Sequence, residues 1–491
     1  MTLSISLDVR TASPEQSIWR ELPEDSFRQR LVDLEERTNA VPLDPQVFPI
    51  HEWSPDTAGD GEGTYTLSLA VEQQLANDFA FLAAIGEGAQ SVSAACLEEH
   101  VQPQKLTVRL AAVDISVEET LQLALQDVSN ILIEAASHRR VKDAGSASYD
   151  IELLFRRVVH FHRGRIVARL RSVKWEKPRY LSRSHKKPLW QDFSNLIHRA
   201  QFLYTKAEAQ ARRSLESGLH ELASIYEGFE IVPSDPASEL AYISQLVQAS
   251  FVFCTSEQGR SYSQRLEDLT TGPNAKLTKQ VASAIKCFRQ IEKIAAYWRI
   301  SRSLVGAARR YPSLFQPGIE LAFLTPFKSV PTTVGYESWA QTCHVHAEIQ
   351  LIVWYDLGAP HDPVHQTETR TTVLGSRRTE SPFHLPRVMG SSKYFCYLCY
   401  LFIRTHGRFF PANTHGRLYD QWTVPDLSVY SDSLRQRYRD ILQSINDEIV
   451  TQLDNFKGTE SDKPVPLRWR AEPMTSRQNL LLSDLDVVEI E

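Results

Sequence analysis

Two short stretches carry residues whose types and spacing suit metal-assisted chemistry. His346-Ala347-Glu348 lies inside CHVHAEIQLIVWYD, and Cys396-Tyr397-Leu398-Cys399 lies inside KYFCYLCYLFIRTHG. One imidazole and two thiolates are donors that zinc accepts, and a zinc site that does chemistry keeps three protein ligands and one open position. His346, Cys396 and Cys399 can fill the three protein positions, which leaves Glu348 free to carry a proton. A metal so held lowers the pKa of its water to about 7, so the set predicts a hydroxide nucleophile at neutral pH.

Such a set works only if both stretches open helices. Cys396 and Cys399 are three apart and share a helix face, and a helix N-terminus favours the thiolate. His346 and Glu348 are two apart and would diverge in mid-helix, but in a first turn both can fold over the helix end toward one ion. Gly358 and Gly407 are expected to end the two helices. Strands are predicted around them: two within 317–335, where Ile319, Leu321 and Phe323 alternate, then one in 387–392 and one in RFFPANTHG. This order of strands and helices predicts an α/β sheet covered by helices, with both helix starts at the carboxyl ends of strands.

The order His, Glu, Cys, Cys also follows the zinc deaminase signature, H-x-E and then P-C-x-x-C, except that Phe395 stands in place of Pro. HAEIQLI and SSKYFCYLCYLFIRTHG, followed by ANTHGRLYDQWTVP, resemble the fungal members of the OTT-like deaminase family, within the cytidine deaminase-like superfamily. The resemblance covers roughly residues 340–426. It implies a three-layer α/β/α domain with a mixed five-stranded sheet, one bound Zn2+, and hydrolytic deamination of cytosine or adenine in a nucleotide or single-stranded nucleic acid. It carries over His346, Cys396 and Cys399 as zinc ligands and Glu348 as the proton carrier. Thr414, His415, Gly416 and Trp422 fall on the family's THG signature as candidate substrate residues, beside the plainer reading of a tight turn with a buried Trp.

Two other readings use the same residues. Cys343 with His346, Cys396 and Cys399 is also a Cys3His set, which would make a closed structural zinc site of an interaction protein. A deaminase fold that only binds is the third. The position of Cys343 separates the first two.

At 491 residues the chain predicts two or three domains, and a net charge of −6 with 42% hydrophobic residues describes a soluble globular protein. No secretory signal follows Met1 and no apolar run approaches the ~20 residues of a membrane span, so an intracellular protein without a membrane partner is expected. Of six cysteines, Cys96, Cys254 and Cys287 stand alone in apolar helical contexts and read as reduced core residues. The expected organisation is an irregular arm over 1–64, a mainly helical domain over 65–312, the deaminase-like domain over 313–430, and a C-terminal helix and tail over 431–491. A capping box at Ser116 and Glu119, a stripe from Leu277 to Trp298 and a five-turn face from Leu434 to Leu453 mark helices. The loop 359–386, whose His361, His365 and His384 read as solvated, separates the two motifs.

The segment 151–190 holds twelve Lys or Arg against two Glu, interleaved with Phe155, Phe161, Trp175, Tyr180 and Trp190. It reads either as a surface for single-stranded nucleic acid or as a solvated strand pair and loop with core aromatics. The sequence leaves the oligomeric state open.

Overall fold

The computed structural model describes residues 8–50, 65–86, 91–113, 119–137, 144–177, 187–269, 278–336, 341–358 and 383–457. The turn at 58–63, Trp53, Ser116, Tyr180, His361, His365 and the tail beyond 457 lie outside the described residues. The chain forms two compact units, one of residues 1–84, 89–119 and 313–476, the other centred on 120–312. The division differs from the four expected stretches, because residues 89–119 join the metal-motif unit across the helical insertion.

In chain order, the first unit begins with helix α1 (Glu24–Thr38), strand β1 (Gln46–Val47), helix α2 (Leu69–Ala83) and the hairpin β2 (Ser93–Val101) and β3 (Gln104–Ala112). The second unit is helical. It contains α3 (Glu119–Ser137), α4 (Ala144–Leu170), α5 (Phe193–Leu203), α6 (Ala209–Gly228), α7 (Pro236–Thr255), α8 (Glu257–Asp268) and α9 (Lys279–Arg310). The chain then returns through a single turn, α10 (Pro312–Phe315), to β4 (Ile319–Phe323), β5 (Val330–Pro331) and β6 (Thr342–Val345). Helix α11 (Ala347–Gly358), β7 (Phe383–His384), β8 (Gly390–Ser391), α12 (Tyr397–His406), β9 (Asn413–Thr414), β10 (Trp422–Thr423) and α13 (Asp432–Lys457) complete the first unit.

The first unit is mixed α/β. Its largest sheet runs β4-β3-β2-β7, with β8 also on β2, and pairs the hairpin in parallel with β4 at Leu106 and Ile319. A smaller sheet, β10-β6-β5, sets β6 parallel to β10, with Trp422 opposite His344. The expectation that 65–138 is helical throughout is therefore corrected: 93–112 is a hairpin. Residues Ser93 to Glu99 are all buried, so neither face gives the alternation that marks a half-exposed strand.

The expected irregular arm is corrected too. Residues 24–38 form α1, which packs on α13, and buried Arg28 donates to the carbonyls of Asp420 and Trp422 at 3.2 and 3.4 Å. Further along, β1 pairs with β9, and Phe48 stacks on Tyr400 of α12 with ring centres 5.1 Å apart. The expected face of α13 holds: Tyr438, Ile441, Leu442, Ile445 and Ile449 are buried in the same core as α11 and α12.

In the helical unit, side-chain caps from Asp235, Ser256 and Thr278 start α7, α8 and α9. In the segment 151–190, read either as a nucleic-acid surface or as a strand pair and loop, residues 151–170 belong to one helix, α4, with Leu154, Phe155, Val158, Val159 and Ile166 buried. Its outward arginines are paired with acids: Arg156 with Glu152, Arg157 with Asp127 and Arg163 with Glu239, and beyond it Arg171 and Lys187 share Asp192. These pairs account for five of the twelve basic residues of 151–190. No helix among the described residues is long and apolar enough to cross a membrane.

Candidate metal centre

Strand β6 ends at Val345, and His346 follows as the residue whose carbonyl accepts the first bond of α11, from the Gln350 N–H at 3.0 Å. Gln350 locks this corner, donating from Nε2 to the carbonyls of Ala112 and Val345 at 2.7 and 3.0 Å. On the other side Cys396 is the N-cap of α12, its sulfur accepting from the Cys399 N–H at 3.3 Å. Both motifs therefore open helices, as their spacing predicts, and Gly407 ends α12 at φ +77°.

The two helix starts converge. His346 Nδ1 lies 3.5 Å from Cys396 Sγ and 3.5 Å from Cys399 Sγ, and the three donors lie within 4.8 Å of one another. A tetrahedral ion with bonds of about 2.0 Å to nitrogen and about 2.3 Å to sulfur sets those atoms about 3.5 Å apart. The donor set and its spacing thus fit zinc. Burial pushes both thiols up. For Cys396 the bonds from Cys399 and His346 outweigh burial and hold it well below the ordinary thiol range, while Cys399 beside that charge is raised. The pair is poised to give one thiolate before any ion arrives.

Glu348, in the first turn of α11, is buried beside the donors. Ser391 Oγ of β8 donates to Glu348 Oε1 at 3.0 Å, and the Cys399 thiol lies 3.5 Å from Oε2. Burial raises the Glu348 pKa, and the neighbouring His346 pulls it back in part. Ser391 is itself held by α2, where Asn77 Oδ1 accepts from its N–H at 3.2 Å. Gly390 permits that approach, because a Cβ there would stand 2.0 Å from the Ala76 carbonyl carbon.

Cys343 is not part of the cluster. Burial pushes its thiol up to about 11, and it shares its surroundings with Arg28, Glu24 and Thr332. Among the described residues no fourth donor joins the three.

The four candidate substrate residues fall on a turn that clamps Cys396 and on the strand after it. Thr414 Oγ1 and the His415 N–H both donate to the Phe395 carbonyl at 3.0 Å, and Gly416 N–H donates to Thr414 Oγ1 at 3.0 Å. Gly416 has φ +68°, and a Cβ there would lie 1.7 Å from the Leu43 carbonyl oxygen, so this position needs glycine. His415 is buried beside Lys393, Arg417 and His346. Burial first, then those charges, lowers its pKa to about 3, so its ring is neutral and Nδ1 accepts from the Arg417 N–H at 3.1 Å. Trp422 is a core residue 6.1 Å from the Phe402 ring, its indole N–H beside the Cys399 sulfur but short of hydrogen-bond geometry.

Three residues near the donors were not singled out in the sequence: Ser391, Arg417 and Tyr419. The Tyr419 ring lies 6.1 Å from that of His346 and 6.0 Å from that of His415. Ser391 and Ser392 end the expected strand 387–392, just before the CYLC helix, and Arg417 and Tyr419 closely follow the THG turn, so proximity to a motif was the one signal for them.

Residues 345–426 match a family model described as OTT_1508-like deaminase. This segment belongs to the OTT-like deaminase family. No curated protein and no solved structure matches the chain. Within the deaminase segment lie all three donors, Glu348 and Ser391, whereas α1, α2 and the β2–β3 hairpin that brace them come from outside it.

Proposed function

We propose that the first unit is a zinc-dependent hydrolytic deaminase of the three-layer α/β/α kind, which removes the exocyclic amine of cytosine or adenine in a nucleotide or single-stranded nucleic acid. The observation that carries this reading is the convergence of one imidazole nitrogen on two sulfurs at 3.5 Å, with a buried carboxylate alongside, inside a deaminase-family segment. His346, Cys396 and Cys399 would hold the ion, and zinc there would supply a water activated to a pKa of about 7.

The chain's own residues divide the remaining work. Ser391 fixes Glu348 Oε1, which leaves Oε2, on the donor side, to take a proton from the attacking water. Its raised pKa suits Glu348 to hold that proton and pass it to the ring nitrogen, after which the carbon–nitrogen bond breaks and ammonia leaves. A closed structural site would need a fourth donor, and the placement of Cys343 beside Arg28 and Thr332 argues against it. Following ammonia release from nucleosides, nucleotides and single-stranded oligonucleotides bearing cytosine or adenine tests the proposal; release from none of them refutes it.

A further inference from the structure

Arg417 directly follows the THG turn and is fixed through its main chain. Its N–H donates to His415 Nδ1 at 3.1 Å, and its carbonyl accepts from Tyr397 N–H, the residue after Cys396, at 2.9 Å. Its guanidinium carbon sits 5.0 Å from the centre of the Tyr419 ring, the same ring that meets His346. Each other described arginine of the deaminase segment has a carboxylate: Arg387 has Glu72, Arg404 has Glu448 and Arg408 has Asp356. Arg417 has none among the described residues, and its Nε is buried without a hydrogen-bond partner.

A guanidinium N–H taken from water without an acceptor is costly, and the planar fork is shaped for two-point contact with phosphate. We infer that Arg417 is an anion subsite of this centre, which holds a phosphate group of the substrate while the base lies at the donors. The inference rests on the deaminase reading above, and it assigns the phosphate of that nucleotide or nucleic-acid substrate to one side chain. The shared chemistry is a phosphate group, carried either by a mononucleotide or by a nucleic-acid backbone. Tyr419 would lie between that phosphate and His346, so the subsite stands back from the reacting carbon as a phosphate stands back from its base.

The test is calorimetric titration of the zinc-loaded full-length protein with cytidine, adenosine, their 5′-monophosphates and a short single-stranded oligonucleotide containing both bases. Phosphate-bearing ligands are expected to bind about tenfold more tightly than nucleosides, as charge-assisted contacts allow. The advantage should vanish in Arg417→Ala and survive in part in Arg417→Lys. Arg417→Gln decides the matter if the alanine variant loses zinc. An advantage for the monophosphates identifies a free nucleotide, and one confined to the oligonucleotide identifies a backbone phosphate. Equal binding of nucleosides, no binding of any phosphate-bearing ligand, or an advantage that survives in Arg417→Ala and Arg417→Gln overturns the inference. Because the readout is binding, a protein that holds phosphate through Arg417 but releases no ammonia would count against the deaminase reading and not against the subsite.

Discussion

On the proposed reading turnover depends on Glu348, which is buried beside the donors with Ser391 donating to Oε1 and the Cys399 thiol 3.5 Å from Oε2. Glu348→Gln keeps the size and the Ser391 contact but cannot shuttle a proton. Turnover should fall by about a hundredfold or more. Zinc content, measured on the same preparation, should not change; loss of zinc would make Glu348 a ligand instead. The donors and this carboxylate were legible in the sequence because their chemistry depends on residue type and close spacing. Ser391 and Arg417 were not, because a serine and an arginine would acquire such roles from what folds against them: Asn77 on a distant helix fixes one, and the other has no carboxylate partner among the described residues.

The donors stay together because the elements behind them are tied. Asp356, on α11, accepts from His406 Nε2 of α12 at 3.0 Å and from Tyr438 Oη of α13 at 2.7 Å, with Arg408 3.5 Å away. Burial pushes the Asp356 carboxyl up, but His406, Tyr438 and Arg408 outweigh it and hold it below the ordinary range. Asp356→Asn removes the charge and turns a donor toward donors. Unfolding in urea should show a loss of about 3 kcal/mol, as for a broken buried pair. Zinc affinity should fall with it, and an unchanged midpoint would mean that these helices are held otherwise. Helices α9 and α13 could be read from their apolar spacing and α12 from its cysteine spacing, whereas the Ser93–Glu99 run of β2 is buried throughout and lost the alternation that names a strand. In α4, Val158, Val159 and Ile166 are β-branched, so a helical stripe resembled strand residues.

At the scale of the molecule, a helical unit of some two hundred residues interrupts the α/β unit between strands that pair directly, Leu106 with Ile319. No local pattern announces such an interruption, which is why the expected boundary at 65 fell inside the wrong unit. The helical unit also carries its own pH dependence. Burial pushes Glu292, on α9, from 4.5 up to about 8, and Ser263 Oγ donates to its Oε1 at 3.2 Å. The folded state therefore keeps a proton that the unfolded chain gives up. Stability from this group is complete below 4.5 and is lost as pH rises toward about 8. Melting temperature followed from about pH 5 to about pH 9 should decline in the native protein and decline less in Glu292→Gln. Parallel curves would assign the loss to other groups.

The central claim is that one imidazole and two thiolates hold an ion with a position left open. X-ray absorption at the zinc edge of the purified protein measures that directly. Two sulfur neighbours at about 2.3 Å and two nitrogen or oxygen neighbours at about 2.0 Å are predicted. A shell of three sulfurs would bring Cys343 into the site and close it, and a shell without sulfur would remove Cys396 and Cys399; either result contradicts the account.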